Sequence, residues 1–208
     1  MDKFKRMFQI NKKVFVFLFG ITVIGVIFGS CLPLFLNSQD KTLVGEYLSD
    51  FITQINSGYN SLLLFKNGFF NNFIFSFLIW ILGISIIGFF VILFLYFFKC
   101  FIFGFSISSI IINYGFKGIL FSFVYIFPHQ VINLFIYCFL TSYSLIFSIN
   151  LLGLIFKKNN FNIRNSFIKY FKFYLISLLV FLISSLYDSF VNPIILGFVF
   201  KLLGIWFT

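Results

Sequence analysis

Long apolar runs separated by short polar breaks dominate the chain. A helix that crosses a bilayer needs ~20 mainly apolar residues at about 1.5 Å of rise each. Uncharged runs of that order predict spans at residues 14–36, 73–98 and 130–156, with a shorter one at 100–116, and a mainly apolar run that carries Lys172 and Asp188 predicts a fifth at 171–191. The stretch from Gly118 to Phe156 carries no Asp, Glu, Lys or Arg and is too long for one crossing; Pro128 and His129 mark the expected break in it. Residues 118–129 are therefore expected as a half-helix or re-entrant piece, and 130–156 as the fourth span. The apolar stretch after Pro193 is short and contains Lys201, so the tail 192–208 is expected as an interfacial or re-entrant helix.

One polar segment has a different pattern. Between Thr42 and Ser57 the apolar residues fall at Val44, Tyr47, Leu48, Phe51, Ile52 and Ile55, the spacing that lines one side of a helix. Thr42 is placed to cap it and Gly58 to end it. Such a stripe either packs on the bilayer or the spans, or offers apolar anchors one turn apart to a partner. Tyr47, Leu48, Phe51 and Ile55 are the candidate partner-binding residues.

These elements define the fold class: an all-α polytopic integral membrane protein of five spans, with a broken segment and an extracytoplasmic amphipathic helix, forming one membrane domain over 1–208. Composition agrees, since 61% of the 208 residues are hydrophobic and only 10% charged, too few to clothe a water-soluble fold. The net charge of +10 sits beside apolar runs, where cations set orientation, so nucleic acid is not expected as a partner. Lys3, Lys5, Arg6, Lys12 and Lys13 place segment 1–13 in the cytoplasm, and Lys157, Lys158, Arg164 and Lys169 do the same for the loop 157–170. Lys99 is then expected in a cytoplasmic turn between the second and third spans. The outer segment 37–72, with Asp40, Glu46 and Asp50, and the C-terminus face outward.

The residues offer little to catalysis. Gly104-Phe105-Ser106 with the single His129 is a weak echo of an intramembrane serine protease, because no Gly follows Ser106 and Gly83-Ile84-Ser85 repeats the pattern. One histidine without a neighbouring carboxylate does not supply zinc, and Cys31, Cys100 and Cys138 form no C-x-x-C pair. Phe28-Gly29-Ser30-Cys31 imitates a lipoprotein signal, but the apolar run continues to Leu36, as an uncleaved span does. His129 is expected to bond backbone carbonyls near Pro128, and Asp188 to meet headgroups or a lysine. No catalytic, metal or cofactor site is expected, and the 39 Phe are given no function.

Trp80-Ile81-Leu82-Gly83-Ile84-Ser85-Ile86-Ile87-Gly88, with Lys99 and Gly104-Phe105 after it, resembles the second and third spans of the stage II sporulation protein M family. Asn113, Gly115, Gly118 and Phe127-Pro128-His129 continue the resemblance beyond those spans. Gly25 to Gly29, Tyr47-Leu48-Ser49 and Asn192-Pro193 fall in matching order, so it covers nearly the whole chain. Wider relatives have Pro-His-Gly, whereas Gln130 stands after Pro128-His129 here and Asn133 offers an amide in place of an acid. The resemblance implies a non-enzymatic scaffold in the mother-cell septal or engulfing membrane. It implies partnership with two membrane-anchored peptidoglycan hydrolases, a lytic transglycosylase and an amidase/endopeptidase. A small permease or channel is the alternative.

Overall fold

In a computed structural model the backbone is described for residues 2–56, 60–85, 88–157 and 163–203, and the side chains for 12–50, 53, 60–85, 88–154 and 163–197. Among the described residues there is no strand. Four stretches are long and apolar enough to cross a membrane, Lys12–Phe35, Ser61–Gly83, Gly88–Leu154 and Ile163–Gly197, as expected of an all-α polytopic membrane protein.

Helix α1 (Asp2–Phe35) is followed by α2 (Ser38–Asn56), which opens four residues before the expected cap, with Asp40 in the first turn where the helix dipole favours a carboxylate. The expected stop at Gly58 lies outside the described residues. Asn60 caps α3 (Ser61–Gly83) by accepting the Leu62 N–H at 3.2 Å.

The second span expected at 73–98 is corrected here. Helix α3 starts twelve residues earlier, taking in Asn67, Asn71 and Asn72, and ends at Gly83; α4 (Gly88–Phe121) begins after an uncharged turn. Lys99 is therefore inside α4, not in a loop, and the third span expected at 100–116 begins at Gly88. Small residues make this turn: a Cβ on Gly88 would overlap the Leu82 carbonyl, and one on Gly83 the Tyr170 hydroxyl.

The break also lies elsewhere. Within α4 the backbone leaves helical geometry at Gly115 (φ 57°, ψ −130°), a conformation that side chains with a Cβ rarely adopt. There the chain folds back, so that Gly118 meets the Ile110 carbonyl. From Gly118 the helix runs through a π-helical turn at Ser122–Ile126 into α5 (Phe127–Lys157), with no interruption at Pro128. The half-helix expected at 118–129 and the span at 130–156 are one rod. Proline is accommodated because the wide turn has already shifted the hydrogen-bond ladder, the Phe127 N–H donating to the Ser122 carbonyl five residues back.

The same device recurs in the last rod. Helix α6 (Ile163–Leu186) passes through a π-helical turn at Tyr187–Val191 into α7 (Asn192–Leu203), where the Asn192 N–H donates to the Tyr187 carbonyl and Pro193 comes next. The expected fifth span at 171–191 is thus longer at both ends, and the tail continues it as helix rather than starting a separate element.

Helices α1 and α4 lie parallel and close. Thr22 and Tyr96 share a hydrogen bond at 2.6 Å, Ser30 donates to the Gly104 carbonyl at 3.3 Å and Ser108 to the Ser30 carbonyl at 2.7 Å. Gly29 and Gly104 permit the approach, since a Cβ on either would overlap the facing backbone at Phe101 or Val26. One core cluster joins α1, α3, α4, α5 and α6 around Leu18, Ile79, Ile92, Tyr96, Leu140 and Phe181. A second, around Ile110, Phe121, Tyr125, Ile126 and Leu196, pins the Gly115 reversal to α7. Large apolar side chains such as Phe19, Phe94, Phe135 and Ile183 face outward, as they do when lipid is the solvent.

Candidate functional site

The amphipathic helix α2 rests on the far part of α4. Val44 and Leu48 are half-buried, Leu48 packs on the second core cluster, and Gly45 lets Asn113 come close. Tyr47, from the same predicted stripe, is 74% exposed. The side chains of Phe51 and Ile55 lie outside the described residues. Helical spacing thus found the helix, but only part of the stripe is turned toward the bundle.

Beneath α2, between α3 and α4, lies a cavity of about 850 Å³. Tyr47 and Asp50 of α2 line it, with Asn67 and Asn71 of α3, Lys99 of α4, and His129 and Asp188. The Lys99 ammonium stands 4.5 Å from the centre of the Phe75 ring and 5.3 Å from that of Tyr137, a cation–π arrangement.

At the back of the cavity the two π-helical turns are tied together. His129 Nδ1 lies 2.8 Å from the Tyr125 carbonyl and 3.4 Å from Asp188 Oδ1. Asn192 donates its amide to that same Tyr125 carbonyl at 2.9 Å and to Asp188 Oδ1 at 3.0 Å. His129 thus meets a backbone carbonyl close to Pro128, as the sequence suggested, while the partners of Asp188 are a histidine and an asparagine rather than a lysine. Placing the two π-helical turns opposite one another on neighbouring rods gives the displaced Tyr125 carbonyl side-chain donors from both rods.

Ser106 and His129 of the protease echo line the same cavity, and each is hydrogen-bonded within its own rod. Ser106 donates to its own helix at Ile102, 2.9 Å away, and His129 Nδ1 is held at Tyr125. Gly104 serves close packing against Val26. Among the described residues no three His, Cys, Asp or Glu side chains gather as metal ligands.

A family model, that of stage II sporulation protein M, matches residues 11–193. The chain belongs to the stage II sporulation protein M family. No curated protein and no solved structure matches it. Family membership makes it a sporulation-related membrane protein.

The family match ends at Pro193, just past the Asn192 network, and takes in the whole cavity. The Trp80–Gly88 block, which carries the resemblance most strongly, leads into and out of the α3–α4 turn. Tyr170 donates its hydroxyl to the Trp80 carbonyl at 2.8 Å, its oxygen is 2.7 Å from Ser144 Oγ, and Ser148 donates to the Ser85 carbonyl at 3.1 Å. The block is thus a fastening between α3, α5 and α6. The sequence pattern did not reveal Lys99 as an interior residue or Asn192 as a bridging one. The repeated placement of a proline two residues beyond each π-helical turn was the signal that could have paired Pro128 with Pro193.

Proposed function

We propose that this chain is a non-enzymatic scaffold of the mother-cell septal and engulfing membrane, which assembles and positions membrane-anchored peptidoglycan hydrolases during forespore engulfment. The partners in this reading are a lytic transglycosylase and an amidase/endopeptidase. Its support is family membership together with one observation: α2 is anchored on the bundle through Val44 and Leu48 while Tyr47 stays exposed beside them. An amphipathic helix held in this way offers aromatic and apolar anchors without leaving its own support. The charge rule puts α2 on the wall side of the membrane.

Tyr47→Glu, and Phe51→Glu combined with Ile55→Glu, are expected to release both hydrolases from the purified protein while insertion and abundance stay normal. Unchanged co-purification would remove α2 as the docking surface.

The polar cavity favours a second reading, a small permease or channel using Lys99, His129 and Asp188. Protein-containing liposomes that leak ions or small solutes above the lipid background would support it; tight liposomes would dismiss it.

A further inference from the structure

Lys99 lies eleven residues into α4, roughly 16 Å from its start at Gly88 by helical rise. That is about half the thickness of a ~30 Å hydrocarbon layer, and its neighbour Cys100 is fully buried against the core. A cation at such depth is costly unless it is paired or hydrated. The rings of Phe75 and Tyr137 offset part of this cost. Among the described residues, however, no carboxylate comes within ion-pair reach of Lys99; the ion pair found there is His129–Asp188. The acids lining the same cavity are otherwise placed, Asp188 holding the Asn192 amide and Asp50 standing exposed on α2. Lys99 is thus left without a direct carboxylate partner among the described residues.

The shape of the cavity narrows the choice. At about 850 Å³ it has the size of a small-ligand site rather than of a groove for another helix. Phe98 and Ile102 line it and are also 44% and 40% exposed, so its α4 wall continues onto the outer apolar surface. Asn67 and Asn71 on the opposite wall bring amide donors. A negative headgroup with amide donors near it and an apolar path leading out are the complement of a lipid. We propose that the wedge between α3 and α4 binds the anionic headgroup of a bilayer lipid, with Lys99 as its counter-charge and the chain leaving past Phe98 and Ile102.

The test uses full-length protein, stripped of lipid in neutral detergent and dosed equally with phosphatidylglycerol and phosphatidylcholine, with bound lipid read by native mass spectrometry. The wild type is expected to retain one phosphatidylglycerol in preference to phosphatidylcholine. Lys99→Gln should lower that preference about tenfold, the scale of one lost charge-assisted hydrogen bond, and Lys99→Arg should keep it. Ile102→Trp, which narrows the exit without touching the charge, should lower retention of the lipid and carries the test if Lys99→Gln does not accumulate. Equal phosphatidylglycerol retention in the wild type and in Lys99→Gln or Ile102→Trp would overturn the proposal. So would full displacement of the lipid by millimolar inorganic phosphate, which would make this a free-anion site. Loss of a co-purifying membrane protein from Lys99→Gln with lipid retention unchanged would overturn it in favour of a partner's carboxylate.

Discussion

Asn192 reaches across to the backbone of Tyr125, its amide 2.9 Å from a carbonyl that also holds the His129 ring. Tyr125 lies in the first π-helical turn and Asn192 directly follows the second, so one side chain couples the irregular points of the two longest rods.

Asn192→Leu removes that donor and the one to Asp188. It is expected to destabilise the protein by about 1–3 kcal/mol, the usual cost of leaving buried acceptors unpaired, seen as a lower unfolding temperature in detergent. Asn192→Asp should be worse, because it sets a second carboxylate against Asp188.

Gly29→Ala and Gly104→Ala force backbone apart, and each is expected to loosen the α1–α4 seam by at least ~1–3 kcal/mol. Gly20→Ala makes a useful contrast: a Cβ there meets nothing within 4 Å, so the higher helix propensity of alanine should leave stability unchanged or raised. Thermal unfolding of the three variants side by side checks the contrast.

Tyr170→Phe and Ser144→Ala act on one hydrogen-bonded group at Trp80. Each alone should cost about 1 kcal/mol, and the double variant less than the sum of the two. A double-mutant cycle that proves additive would show that the hydroxyls do not work together.

Orientation is tested by single cysteines in a background lacking Cys31, Cys100 and Cys138. Asn60→Cys is expected to react with an impermeant maleimide in intact protoplasts, and Arg164→Cys only after lysis, as the distribution of cations requires.

The apolar runs were legible because lipid leaves a spanning chain no alternative to internally bonded helix. Their ends were less so. Charge served as the marker of loops, yet the α3–α4 turn is built from Gly83, Ser85 and Gly88 without any charge, while Lys99 is folded inward over aromatic rings. Pro128 read as a break because its missing N–H usually interrupts a ladder; a π-helical turn just before it had already displaced that ladder. The reversal fell instead to Gly115, one glycine among many, and only a backbone angle distinguishes it. The stripe on α2 was legible from spacing alone. The cavity was not, because Asp50, Asn67, Lys99, His129 and Asp188 come from five separate stretches of chain.

Turning the chain around at a single glycine means that the described backbone between residues 88 and 157 offers no slack ribbon to clip, lengthen or grip. A reporter spliced in at Gly115 would pull apart the packing of Ile110, Phe121 and Leu196.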